Sequence, residues 1–171
     1  QRRLNNAQLV AFSMTRRANS TAKEDSSMKA ILKSKVKVAT IVGKTWDLHV
    51  QDVLKTTLEE NIAMITDTVG FLVSQGIVVF YDAEHFFDAY RVNPAYSMKC
   101  LIAAQAAGAR KVVLCDTNGG TLPAEIKSVI ETIKPKLSVG IGIHCHNDAD
   151  VAVGAHSVLT LTELYRAAFR E

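Results

Sequence analysis

In the stretch GIHCHND, residues 142–148, His144 and His146 lie one residue apart at the end of an apolar run, followed by Asn147 and Asp148. Side chains alternate along a strand, so in an extended segment His144 and His146 face one way and Cys145 the other. Two imidazoles at that spacing can share one cation; the plainer alternative is a pair of core or surface histidines with satisfied hydrogen bonds. A catalytic divalent site takes three or more protein ligands and keeps a position open for substrate, so a further ligand must come from elsewhere. Other chemically capable residues also sit at the ends of apolar runs: Lys44 and Asp47, Asp82 and Glu84, Asp116 and Thr117. A carboxylate at a strand end is often only solvated, and His85 is as readily structural as catalytic. Phe86, Phe87 and Tyr90 read as packing for a loop.

The elements that must position these groups are visible as β-branched runs at 8–12, 36–43, 76–84, 111–119 and 139–148. Their starts are about one strand-plus-helix unit apart. Between Val53 and Gln75 the apolar positions Leu54, Leu58, Ile62, Ile65, Val69 and Leu72 step by three and four, and Gly76 supplies a stop. Asn93 is an N-cap with Pro94 at the first helical position, and Gly108 ends that helix. A shorter helix is expected over 122–134 and another over 151–170. Strands apolar on both faces, alternating with helices, indicate a parallel sheet wrapped by helices, with ligands at the C-terminal strand ends in barrel and open folds alike. No GxGxxG follows the first strand, and NGG at 118–120 reads as a tight turn, which argues against dinucleotide binding.

Composition narrows the function classes. The chain has 171 residues, 48% of them apolar, enough for a real core. Twenty basic against seventeen acidic side chains leave a charge of +3. The basic residues are thinly spread and not interleaved with aromatics, so no nucleic-acid partner is expected. Three separated cysteines without CxxC spacing fit a reducing compartment. No segment has the roughly 20 apolar residues of a membrane span and no secretory signal opens the chain, so a cytoplasmic protein with no membrane partner is expected.

Taken in order, LVAFSMTRR, GKTWDLHV, TLEEN, YDAEHFFDAYRVNP, LCDTNGGTLP and GIHCHNDADVAV resemble the acyl-CoA-dependent keto-acid synthases related to 2-isopropylmalate and homocitrate synthases. EHFFD with DTNGGTLP places the resemblance nearest the citramalate synthase branch. The resemblance implies a TIM (β/α)8 barrel in which a divalent metal (Mg, Mn or Zn) chelates a 2-keto acid that is condensed with the co-substrate acetyl-CoA. It implies His144 and His146 as metal ligands, Glu84 and Thr117 as catalytic and substrate-binding groups, and Asp116 and Asn147 as supporting residues that orient loops. Ile41 and Val42 are expected to line the keto-acid pocket. The product implied is citramalate from pyruvate, on the way to isoleucine; 2-isopropylmalate or homocitrate synthesis, or a non-catalytic barrel fragment, are the alternatives.

Against the family pattern, the five strands correspond to the third through seventh of eight, with the first, second and eighth missing. The expectation is therefore a partial barrel of about five βα units over 1–159 and a divergent C-terminal helix or tail over 160–171, inactive alone and homodimeric in the full-length protein. The arginine–aspartate motif that supplies the family's other metal ligand is not found. Asp150 stands where the family has glycine, and Gly154-Ala155 where it has alanine–asparagine.

Overall fold

The computed structural model of the chain describes residues 6–158. Five strands, β1 (Val10–Met14), β2 (Val38–Lys44), β3 (Val78–Glu84), β4 (Lys111–Asp116) and β5 (Gly140–Cys145), pair in parallel in the order β1-β2-β3-β4-β5. Between them run α1 (Ser26–Ser34), α2 (Asp47–Asp52), α3 (Leu58–Ser74), α4 (Phe86–Val92), α5 (Pro94–Ala106) and α6 (Pro123–Ile133), and α7 (Ala152–Val158) follows β5. Sequential parallel strands joined by crossovers of one hand place the helices on a single face. A doubly wound sheet would reverse its order partway. The architecture is thus a partial (β/α) barrel, as expected.

Local chemistry sets the helix starts. Asp25 accepts from the Ser27 and Met28 amides ahead of α1, Thr57 accepts from the Glu60 amide ahead of α3, and Asn93 accepts from the Tyr96 amide with Pro94 at the first position of α5. The helix expected from Val53 therefore begins at Leu58, because Thr57 caps it; the preceding turn forms the separate α2. The expected strand over 139–148 ends at Cys145, leaving His146 on the following loop. Of the helix expected over 151–170, the structure shows Ala152–Val158; the remainder and the 160–171 tail lie outside the described residues.

The two faces of the sheet differ. Ala39, Ile41, Val79, Tyr81, Ala83, Val112, Leu114 and Ile141 are buried in one core against Ile65, Val69 and Leu72 of α3, Leu101 and Ala104 of α5, and Ile126, Ile130 and Ile133 of α6. The alternate residues form the other, open face, where Phe12 is 70% exposed and Val10, Met14 and Val78 are also exposed. Among the described residues no helix is long and apolar enough to cross a membrane.

Candidate active site

Strand register assigns each side chain to a face. Val42 pairs with Asp82, Asp82 with Val113, and Val113 with Gly142; further along, Lys44 pairs with Glu84 and Cys115 with His144. These residues share the parity of exposed Phe12, which pairs with Thr40. They therefore line the open face toward its C-terminal edge, where βα proteins place their chemistry. Ile41 pairs with Tyr81 and is fully buried in the helix-facing core. The expected pocket pair is thus split: Val42 lies on the open face, and Ile41 cannot, because adjacent strand residues point to opposite sides.

Glu84 is ion-paired with Lys44, and both side chains are largely buried. The pair fixes the carboxylate across the β2–β3 boundary. Immediately after it, His85 adopts a left-handed backbone with φ 53° and donates its amide to the Thr117 hydroxyl at 2.9 Å. A hydroxyl that accepts in this way still has its own proton to donate. The His85 ring lies 3.2 Å from Asp88 through Nδ1, 4.6 Å edge-on to His49 and 5.7 Å from Trp46. Burial and the neighbouring His85 hold the His49 imidazole below its ordinary pKa. His85 thus closes the top of β3, and the buried Phe86 and Phe87 anchor α4 behind it.

The loop after β4 and the loop after β5 are built together. The buried Asp116 carboxylate accepts from the Thr121 amide at 3.1 Å and its hydroxyl at 2.7 Å, and the Asp116 carbonyl accepts from the amides of Gly119 and His146. Gly119 has φ +65°, and a Cβ there would come within 2.9 Å of the Asp148 amide nitrogen and the His146 carbonyl carbon. The NGG turn is therefore the surface on which the His146 loop rests. Asn147 accepts from the Ala152 amide, capping α7, and donates to Asp150. Asp150 has φ 57°, a conformation glycine adopts without cost.

His144 and His146 have ring centroids 5.2 Å apart at 32°. Their approach survives although only His144 is on the strand. His144 Nδ1 is 3.9 Å from Asp82, and His146 Nδ1 is 3.8 Å from Asp148. The Asp82, Cys115 and His144 donor atoms all lie within 4.8 Å of one another, so this trio could hold a metal ion. Burial raises the Asp82 carboxyl above its usual value, opposed by His144, and burial together with Asp82 and Glu84 pushes the Cys115 thiol up. The adjoining donors are of the type a divalent cation takes. Asp82 and Cys115 are not among the ligands expected from sequence; parity within β3 puts Asp82 on the face of Glu84, but Cys115 meets His144 only through the β4–β5 register. A cavity of about 440 Å³ lies instead at the N-terminal ends of β3–β5, lined by Val73, Gly108, Arg110 and Ser138 among others. None of the residues above lines it.

The HMGL-like family matches residues 7–161. An (R)-citramalate synthase of Aquifex aeolicus is 50% identical over 157 residues, 91% of this chain and 30% of that protein. The (R)-citramalate synthase of Streptomyces coelicolor is 52% identical over 147 residues, 86% and 28% respectively. The homocitrate synthase AksA of Methanopyrus kandleri is 31% identical over 109 residues, 64% of this chain and 27% of that protein. In fold, the HMG-CoA lyase of Brucella melitensis superposes with a TM-score of 0.77 at 14% identity, covering 95% of this chain and 56% of that one. The chain thus spans under a third of the length of the curated relatives it matches, and over nearly all of its own length it belongs to the HMGL-like family.

Proposed function

We propose that this chain forms the keto-acid-binding part of an acyltransferase that condenses acetyl-CoA with pyruvate to give citramalate, a step toward isoleucine. One observation carries the reading: identity of 50–52% to two citramalate synthases falls to 31% for a homocitrate synthase. The open-face cluster of Lys44–Glu84, His85–Thr117 and His144 beside His146 is compatible with it. The partners in this reading are the 2-keto acid and acetyl-CoA.

His144 and His146 would hold a divalent cation, which when bound supplies Lewis-acid polarisation of the keto-acid carbonyl. The chain's own residues do the rest of the positioning. The Thr117 hydroxyl accepts from the His85 amide and keeps its own proton, which it would donate to the keto-acid carboxylate. Glu84, held by Lys44, is the carboxylate that would orient the keto acid on the open face. Trp46, His49 and His85 pack together on the loop side of the face. Val42, on the same open face, would border the keto acid's side chain.

The test is a chimera in which residues 7–158 replace the matching segment of the Aquifex relative, assayed for CoA release with pyruvate, 2-ketoisovalerate and 2-ketoglutarate. Pyruvate-dependent release, lost in Glu84→Gln and Thr117→Ala, is expected. A folded chimera that releases CoA only with a larger keto acid, or with none, overturns the assignment. The 171-residue chain alone is expected to release none.

A further inference from the structure

Asn61 is a polar side chain in an apolar layer. It is fully buried among Ile65, Val69 and Leu72 on the packed side of α3. Its Nδ2 donates to the Lys44 carbonyl at 2.8 Å and to the Tyr96 hydroxyl at 2.8 Å, which uses both amide protons. Its Oδ1 is buried with no hydrogen-bond partner. An acceptor left unmet in the interior is costly, so the two donated bonds have to offset it. The Tyr96 hydroxyl in turn donates to the Leu58 carbonyl at 3.4 Å, tying the network to the start of α3. A second amide, that of Asn93, donates to the Asp47 carboxylate at 2.9 Å. Both ends of the segment 44–47 are thus gripped by side-chain amides of the helical layer. That segment delivers Lys44 to Glu84, and Trp46 to His49 and His85.

We propose that Asn61 is a positioning residue, whose amide fixes the end of β2 so that the Lys44 ammonium meets the Glu84 carboxylate. Lys44 is the last residue of β2 and pairs with Glu84, the last of β3. Where the strand ends, the Lys44 carbonyl is held by Asn61 from α3. The Cys100 thiol, 4.0 Å from the same carbonyl, is a weak donor and no substitute for an amide. Asn61 therefore acts through Lys44 and not by contact with substrate. Leucine is close to asparagine in size, and in Asn61→Leu the unmet Oδ1 leaves together with the two donors, which limits the loss of stability. The fold should persist while the end of β2 loosens. The consequence for catalysis rests on the function proposed above, whereas the positioning of Lys44 does not.

The test is pulse acetylation of the full 171-residue chain with acetic anhydride, the modification of each lysine being read by mass spectrometry. The Lys44 side chain, 12% exposed in its ion pair, should react slowly in the wild type. Asn61→Leu should speed Lys44 modification about fivefold, the weight of one hydrogen bond, and leave the exposed Lys99 and Lys127 unchanged. Val69→Ala, which opens a cavity beneath the same helix, should leave Lys44 as it is, and so separates positioning from general loosening. If Asn61→Leu does not fold, Tyr96→Phe decides, since it removes only the hydroxyl against which the Asn61 amide rests; Lys44 must again react faster. An unchanged Lys44 rate, or an equal rise in Val69→Ala, overturns the proposal. In the chimera, Asn61→Leu should raise the KM for pyruvate, which Glu84 orients, and leave that for acetyl-CoA in place; equal changes in both would overturn the link to catalysis. An unsubstituted chimera without activity counts against the proposed function alone, and the acetylation result stands.

Discussion

Leu114 and Cys115 are neighbours in β4 and both are buried, yet they answer to different demands. Leu114 faces the helices, fully enclosed in the continuous core with Ile126 and Ile130 of α6. Cys115 faces the open side, opposite His144 and close to Asp82. The same alternation repeats in β3, where Val79, Tyr81 and Ala83 build the core while Asp82 and Glu84 carry charge on the other face. One face therefore holds the sheet together, and the other is left free to present polar groups that burial makes costly. The same burial raises the Asp82 carboxyl above its usual value, with His144 opposing it.

Substitutions on the two faces should separate accordingly. Leu114→Ala opens a cavity in the core and is expected to lower unfolding free energy by about 3 kcal/mol, read by urea denaturation; a loss under about 1 kcal/mol would blur the distinction. Arg16 comes next, because its buried guanidinium ties the end of β1 to α3 through Glu60 and Asp67, each at 2.7 Å. Since both carboxylates are partly exposed, Arg16→Ala should cost about 2 kcal/mol, below a fully buried pair. The hydrogen bond from Arg16 holds the Glu60 carboxyl below its ordinary value of 4.5. That contribution is full above pH 4.5 and is lost as the pH falls through the depressed value. Thermal melts of Arg16→Ala should accordingly show a shallower acid limb than the wild type.

Smaller effects test the open face. Gly119→Ala forces a left-handed φ on a residue with a Cβ, which costs about 1–2 kcal/mol, and pushes against the His146 loop. Amide NMR shifts should move at His146–Asp148 and stay in place in α3; a confined change at Gly119 alone would deny that the two loops support each other. Phe12→Ser, at a position 70% exposed, should change stability by no more than about 0.5 kcal/mol.

The sequence showed the sheet more fully than the site. Apolar runs and the step of three and four in 58–72 locate β2, β3 and α3, and the Asn93-Pro94 start locates α5, because these signals are local. Strand ends were harder: β5 stops at Cys145, and the last ladder bond, from the His146 amide to the Asp116 carbonyl, joins it to a partner 30 residues earlier that no local pattern announces. The short α4 escaped because it begins from a left-handed His85, which no periodicity announces. Ile41 and Val42 are both expected at the pocket, but adjacent strand residues face opposite sides, and only Val42 lies on the open face. Asp82 and Cys115 join His144 only through pairing of three strands, which depends on a register that no single segment contains.

In the proposed function, His144 and His146 hold a divalent cation at the C-terminal rim of the open face. Calorimetric titration of manganese into the wild-type chain and into His144→Ala/His146→Ala measures it directly. A binding isotherm in the wild type that disappears in the double variant, with unchanged far-UV dichroism, is the predicted result; equal binding by both chains, or by neither, would contradict it.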